Sequence, residues 1–196
     1  MILPGSADAL LIVDVQNDFL PGGALPVPDA DDVIDVINAL SQLSFGAVIA
    51  AQDWHPVDHC SFRSDHSAGL WPSHCVAGTW GADFPEALRT VSFAAIIRKG
   101  MRMEVDSYSA FFDNDGTYTT GLAAFLGQRG VRRVFVAGLA LDYCVMATAL
   151  DAVKAGFETF VIADACRAIV PEDAHEERLR QAGVGIVVSD QFTFMG

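Results

Sequence analysis

The sequence predicts an α/β fold with a mostly parallel β-sheet and helices on both of its faces. Short runs of β-branched and other apolar residues recur along the whole chain, and helical patterns lie between them. This alternation is typical of parallel α/β sheets. The chain has 196 residues, of which 52% are hydrophobic. It can therefore bury one substantial core, and we expect residues 1–196 to form a single domain.

Six apolar runs are predicted to be strands. Each is short and nearly continuous, which is the pattern of a parallel strand that is buried on both faces. The six runs are Ala9–Val15, Ala47–Ala51, Phe93–Ile97, Arg133–Gly138, Thr159–Ala163 and Gly185–Val188.

Four segments between these runs are predicted to be helices. In Asp31–Leu43, Val33, Ile37 and Leu40 recur at helical spacing and form one apolar face. The other three have similar patterns, and the last two end before a glycine, as helices commonly do. They are Thr120–Gln128, Cys144–Ala155 before Gly156, and Pro171–Ala182 before Gly183.

The segment 53–84 does not fit the alternation of strands and helices. It is irregular and rich in histidine, tryptophan, glycine, proline and serine. A loop of this length inside a compact domain is usually functional or disordered, and its aromatic residues argue against disorder. We therefore expect an ordered, functional loop.

The charge balance argues against two classes of partner, nucleic acids and anionic membranes. The chain has 12 lysines and arginines against 25 aspartates and glutamates, so its surface should repel phosphate backbones and anionic lipid. No apolar stretch approaches the roughly 20 residues needed to span a bilayer. We expect a cytoplasmic protein that binds neither nucleic acid nor membranes and whose four cysteines are free thiols.

Polar residues follow four of the predicted strands, at the edge where parallel α/β sheets bind their ligands. Asp14 ends the first run, Asp53 and His55 follow the second, Lys99 closes the third, and Cys144 lies beyond the fourth. A nucleophile, a carboxylate and a cation would therefore lie at the same edge of the sheet. The unpaired N–H groups at a helix start would also stabilise the thiolate of this cysteine.

Each of these residues could instead have a purely structural role. Asp14 could instead cap a turn, and Lys99 could be an exposed lysine at a strand end. A lone cysteine is commonly a small buried hydrophobe. That explanation suits Cys60, Cys75 and Cys166, which have no acid or base at a strand end beside them.

Four of the five histidines lie in the loop 53–84, namely His55, His59, His66 and His74. Asp53 and His55 form a D-x-H pair, and alternate positions of an extended segment place both side chains on one side. A nitrogen from His74 could complete a metal site, for which zinc, iron and manganese are all suitable. The alternative is that these histidines are simply solvated.

Six short motifs occur in order along almost the whole chain. They are DVQNDF with Asp14, QDWHPVDHCSF with Asp53 and His55, WPSHCVAGTWGADF with His74, RKG with Lys99, YSAFFDN, and GLALDYCV with Cys144. Each motif is weak alone, but six in this order and spacing are specific. Together they resemble the nicotinamidase branch of the isochorismatase-like cysteine hydrolases.

The resemblance implies a three-layer αβα fold with a six-stranded, mostly parallel sheet and an Asp-Lys-Cys triad, here Asp14, Lys99 and Cys144. It also implies a cis peptide bond before Ala140, whose backbone N–H would be an oxyanion donor. Relatives usually have threonine where this chain has Leu141, so any hydroxyl contact from that position is absent.

The resemblance further implies one divalent metal ion per chain, held by Asp53, His55 and His74. Zinc is the first expectation, with iron or manganese as alternatives. A further ligand varies among relatives, and His59 and Ser64 are the candidates in this chain.

By the same resemblance, the substrate is nicotinamide, hydrolysed to nicotinate and ammonia through a cysteine thioester. Phe19, Trp71 and Tyr108 are expected to be apolar walls of its pocket, although each could be an ordinary core aromatic. Two alternatives are a metal-independent amidase or ureidohydrolase of the same fold, and a non-catalytic binding protein. Assembly into a homo-oligomer is left open.

Overall fold

The structure is a computed structural model that describes residues 1–64 and 67–193, without the side chains from 64 to 68. Its strands, in chain order, are β1 (Asp8–Val13), β2 (Ala47–Asp53), β3 (Arg63–Ser64), β4 (Ser67–Ala68), β5 (Phe93–Lys99), β6 (Arg133–Leu139), β7 (Glu158–Arg167) and β8 (Gly185–Val187). Six of them form one sheet in the order β5-β2-β1-β6-β7-β8, and every neighbouring pair is parallel. The six-stranded parallel sheet is therefore confirmed. β3 and β4 form a separate antiparallel pair.

The α-helices are α1 (Asp32–Leu40), α2 (Leu122–Gln128), α3 (Met146–Lys154) and α4 (Ala174–Gln181). Successive residues of a strand point to opposite faces of the sheet, so β1 supplies both cores. Leu10 and Ile12 pack with α1 on one face, and Leu11 and Val13 share the other core with α2, α3 and α4. Helices on both faces give the expected three layers.

Several boundaries differ from the sequence prediction, and the two edge strands, β5 and β8, are less buried than it implied. α1 ends at Leu40 because residues 41–43 form a turn, with hydrogen bonds from Gln42 N–H to the Ala39 carbonyl and from Leu43 N–H to the Leu40 carbonyl. The strand at Phe93 was expected to be buried on both faces, which is wrong. Its side chains alternate between partly buried and exposed, because β5 is an edge strand with one face open to solvent.

The sheet topology places the ends of β1 and β6 at a switch point. β1 lies between β2 and β6. After β1 the chain forms β2 and β5 on one side of it, and it then crosses to the other side to form β6, β7 and β8. Ligands of open α/β sheets bind beyond the carboxyl ends of the strands at such a point. Asp14 and Ala140 are the residues that directly follow these two strands.

The long loop after β2 is fixed to the sheet by two buried glutamines. The side-chain amides of Gln16 and Gln52 both donate to the Ala82 carbonyl, over 2.8 and 2.9 Å. The loop carries the antiparallel pair of β3 and β4 and a short 3₁₀ turn at Trp80–Ala82. None of the helices among the described residues has both the length and the apolar composition of a membrane-spanning segment.

Candidate active site

Lys99 is the central cation of the site. It is the last residue of β5 and only 2% exposed. Its Nζ lies 2.8 Å from Asp14 Oδ2, 2.6 Å from Asp53 Oδ1 and 3.4 Å from Cys144 Sγ, and it donates to the Ser107 carbonyl over 2.9 Å. The alternative of an exposed lysine at a strand end is therefore wrong. The two carboxylates outweigh burial and raise the pKa of Lys99, so the ammonium stays charged.

Asp14 follows β1 directly in a left-handed backbone conformation, with φ of +51°. Its carboxylate is completely buried. Neither oxygen accepts a hydrogen bond of good geometry from the described residues, and the contact of Oδ2 with Lys99 is a close ion pair. Burial raises the pKa of Asp14 to about 7, and Lys99 offsets only part of this rise. Asp14 can therefore gain or lose a proton near neutral pH.

Cys144 lies in a π-helical turn, Leu141–Val145, two residues before α3. Burial raises the pKa of its thiol well above the usual range, although Lys99 opposes the rise. This differs from the expectation that the helix start alone would favour a thiolate. The thiol is the resting form, and it needs a base. Its Sγ and a carboxylate oxygen of Asp14 lie within 4.8 Å of each other.

Asp53 joins this triad to a cluster of histidines. It is the last residue of β2 and lies opposite Lys99 of β5 in the sheet register. While Oδ1 contacts Lys99, Oδ2 lies 3.5 Å from His55 Nε2 and 4.0 Å from His74 Nε2. One carboxylate thus serves both groups of residues, which the sequence analysis treated as separate.

Backbone carbonyls fix the orientation of both histidine rings. His55 Nδ1 lies 2.9 Å from the Gly100 carbonyl, and His74 Nδ1 lies 2.8 Å from the Pro72 carbonyl. A carbonyl oxygen only accepts, so each Nδ1 carries a proton, and a ring in its neutral form directs the lone pair of Nε2 at Asp53. Such lone pairs repel a carboxylate unless a cation lies between them. The donor set therefore fits a divalent metal ion.

The protonation of these ligands supports the same conclusion. Lys99 and His55 outweigh burial and hold the pKa of Asp53 well below its usual range, and burial lowers the pKa of His74. An ionised carboxylate and a neutral imidazole are the forms that bind metals. For His55, Asp53 outweighs the effect of burial and raises the pKa. A proton and a metal ion would therefore compete for this nitrogen.

Of the candidates for a further ligand, His59 has a ligand atom within 4.8 Å of those of His55 and Asp106 but is not grouped with Asp53 and His74. His59 stacks on His55 with ring centroids 4.1 Å apart, its Nδ1 is hydrogen-bonded to Ser61 Oγ over 2.7 Å, and its Nε2 lies 3.4 Å from the Val105 carbonyl. Both of its nitrogens are therefore engaged by the protein. The side chain of Ser64 and the whole of His66 lie outside the described residues.

A small cavity opens at Cys144 between aromatic side chains. All three aromatic residues that the sequence analysis selected, Phe19, Trp71 and Tyr108, line it together with Ala140 and Asp53. The Trp71 indole N–H donates to the Tyr108 hydroxyl over 3.1 Å. The cavity therefore has mostly apolar walls and is polar at Cys144, Asp53 and Asp106.

Sequence reasoning missed four further residues of this lining, namely Leu25, Asp106, Tyr143 and Ile169. Tyr143 directly precedes the cysteine in its motif, so its position was a usable signal. Asp106 follows β5 in an irregular segment and carried no such signal. Gln16 was also missed, although DVQNDF contains it. Its side chain accepts from the Asp53 N–H and donates to the Asp53 carbonyl, each over 2.8 Å, and so holds that residue in place.

The segment before Cys144 has the backbone that the resemblance implies. The peptide bond between Leu139 and Ala140 is cis. Leu141, which stands in place of the usual threonine, packs against the core on the side of α2 and α3. The Asp142 carboxylate accepts hydrogen bonds from the backbone N–H groups of Ile169 and Val170, which ties this turn to the segment after β7.

The comparisons with known proteins agree on one family. An isochorismatase domain model matches residues 8–191. A nicotinamidase of Acinetobacter baylyi is 46% identical over 175 residues, which cover 82% of this chain and 81% of the relative.

Several solved structures share the fold. The L. infantum protein PnC1 in complex with nicotinate has 43% identity and a TM-score of 0.92, over 98% of both chains. Pyrazinamidase of Pyrococcus horikoshii in complex with zinc has 40% identity and a TM-score of 0.82, over 93% of this chain and 99% of that one. The chain therefore belongs to the isochorismatase family, in the group that contains the nicotinamidases.

Proposed function

We propose that this protein hydrolyses nicotinamide to nicotinate and ammonia, with Cys144 as the nucleophile. The observation that carries the proposal is the double contact of Asp53, which places a histidine cluster suited to a metal beside Asp14, Lys99 and Cys144. Such a site can hold an aromatic nitrogen and attack a neighbouring carboxamide. The likeness to nicotinamidases, and to a protein solved in complex with nicotinate, supports the same substrate.

The first chemical step is proton transfer from Cys144 to Asp14. The ionised carboxylate takes the thiol proton, and the charged Lys99 stabilises the developing thiolate, from which it lies 3.4 Å. The sulfur then attacks the carboxamide carbon. The backbone N–H groups of Ala140 and Cys144 donate to the oxyanion, and one such donor contributes about 3 kcal/mol in comparable sites.

The second half of the reaction uses the same proton carrier. Protonated Asp14 gives its proton to the departing ammonia, which leaves a thioester on Cys144. Asp14 then takes a proton from water as that water attacks the thioester carbon. The C–S bond breaks to release the acid, and Asp14 returns the proton to the Cys144 thiolate. A raised pKa suits this role, because a carboxyl group that titrates near 7 can both accept and donate.

Asp53, His55 and His74 would hold the divalent metal ion, with zinc as our first choice and iron or manganese as alternatives. When bound, such an ion supplies a Lewis acid for the pyridine nitrogen. Phe19, which lies 5.5 Å from His74 between ring centroids, would bound the ring on one side. The pocket then orients the carboxamide toward the sulfur.

Incubation with nicotinamide tests the proposal directly. We expect ammonia and nicotinate to appear in equal amounts, as amide hydrolysis requires. Release of neither product would favour a non-catalytic binding protein. Turnover of other small amides or ureido compounds, with none of nicotinamide, would favour a different hydrolase of the same fold.

The rate should fall on the acid side of neutrality. A carboxyl group takes up a proton as the pH falls through its pKa, so below about 7 Asp14 is protonated and cannot accept the thiol proton. We expect kcat/KM to drop about tenfold per pH unit there. Steady-state rates from about pH 5.5 to about pH 8.5 check this.

Metal content must be measured at each pH of that series, because acid also protonates metal ligands. A profile that is flat from about pH 6 to about pH 8 at constant metal content would contradict the role of Asp14.

Metal removal should separate substrate orientation from chemistry. We expect about one metal ion per chain, lost when His55 or His74 is replaced by Ala, and a steep fall in nicotinamide turnover in the stripped protein. Benzamide has the same carboxamide but no ring nitrogen, so it should be a poor substrate with or without metal. The measurement is turnover of both compounds by holo and stripped protein of confirmed folding. Equal proportional losses for the two substrates would exclude ring anchoring.

A further inference from the structure

We propose that Gly100 is a positioning residue for the metal site and that metal affinity requires the absence of a side chain there. The inference rests on the proposed metal site at Asp53, His55 and His74. Gly100 follows Lys99 in the RKG motif and has a left-handed φ of +64°. Its carbonyl accepts the hydrogen bond from His55 Nδ1 over 2.9 Å, which directs Nε2 of that ring at Asp53.

The backbone of Gly100 approaches the His55 ring too closely for any other residue. A Cβ at position 100 would lie 2.4 Å from His55 Cε1 and 2.6 Å from His55 Nδ1, whereas real Cβ contacts are essentially never below 3.0 Å. The added atom would lie beside the hydrogen bond that orients the ring. Either the ring or the backbone must then shift.

The His55 ring has little room to retreat. It is 1% exposed, stacks on His59 at 4.1 Å between centroids, and meets the edges of Phe62 and His74 at 5.5 and 5.0 Å. A displacement therefore moves Nε2 relative to the other two ligands. Because metal ligands must hold their geometry closely, a small displacement weakens binding.

The position also links the metal site to the triad. Lys99 and Gly100 are consecutive, so one short segment at the end of β5 holds the ammonium that contacts Asp14 and the carbonyl that orients His55. Position 100 thus requires glycine for two reasons. A Cβ there would clash with the His55 ring, and the backbone has a positive φ. Gly130 separates these two requirements, since it has a similar φ of +72° but no atom within 4 Å of the point where a Cβ would lie.

The test compares zinc-loaded wild type, Gly100→Ala, Gly100→Asn and Gly130→Ala. Each protein is challenged with graded chelator, and the retained Zn²⁺ is measured together with thermal unfolding. We expect both Gly100 variants to lose zinc at roughly 10- to 100-fold lower chelator concentration, the usual effect of disturbing a residue that orients a metal ligand. Gly130→Ala carries the same backbone strain and should retain zinc like the wild type. Asn tolerates a positive φ better than Ala, so Gly100→Asn isolates the effect of the Cβ.

Unchanged zinc retention in folded Gly100→Ala and Gly100→Asn would overturn the inference. It would also be overturned if neither variant folded while Gly130→Ala did, because Gly100 would then serve the fold itself. A wild type that binds no zinc, iron or manganese would instead refute the proposed metal site, so the two failures are distinguishable.

Discussion

Cys144→Ala should abolish turnover of nicotinamide while leaving the fold intact. Without the sulfur no thioester can form, and the loss should reach roughly 10⁴-fold or more, as in other enzymes that lose their nucleophile. The residue is small and lies in a turn, so removal of one atom should change the free energy of unfolding by only about 1 kcal/mol. Steady-state kinetics and thermal unfolding measure the two effects.

Cys166→Ala is the matched control, because Cys166 is a buried thiol in the same core outside the triad. This variant should keep full activity. Intact-mass measurement during turnover should reveal a nicotinoyl adduct on the wild type and none on Cys144→Ala. Full activity in Cys144→Ala would exclude the covalent mechanism.

Asp14→Asn should lower the rate by roughly 10²- to 10⁴-fold, the usual contribution of general acid-base catalysis. The amide keeps the shape of the side chain but cannot accept the thiol proton. Two buried carboxylates face one ammonium in the wild type. The variant leaves Lys99 paired with Asp53, so we expect no loss of stability at about pH 8, where ionised Asp14 is disfavoured by burial.

Asp8→Asn provides the comparison from the same strand. Asp8 begins β1, is also buried, and is hydrogen-bonded to Arg133 over 2.8 and 2.9 Å at the far end of the sheet. Its replacement should reduce stability without changing kcat. A loss of less than tenfold in Asp14→Asn would assign Asp14 to structure instead of proton transfer.

The family resemblance and the apolar runs together made the main features of this protein predictable. Each apolar run became a strand, and in β1, β2 and β6 nearly every residue is buried, as expected for the central strands of a parallel sheet. Carboxyl ends of parallel strands meet at one edge, so the residues after the runs could be expected to converge. Asp14, Lys99 and Cys144 do converge, and so do Asp53, His55 and His74.

The cavity could be predicted only in part. Phe19, Trp71 and Tyr108 lie in motifs that flank the site, and all three line it. Asp106 and Ile169 were not predictable, because they come from irregular segments after β5 and β7. Where such segments pass depends on contacts with distant parts of the chain, which have no local signal in the sequence.

The sequence by itself determined which segments form strands, which functional residues follow each strand and what chemistry those residues can perform. Only the tertiary structure decided how the residues act on one another. The register between β2 and β5 gives Asp53 its double contact with Lys99 and the histidines. Complete burial sets the pKa of Asp14 near 7 and keeps Cys144 a thiol, since desolvation depends on every surrounding atom and on no single stretch of sequence.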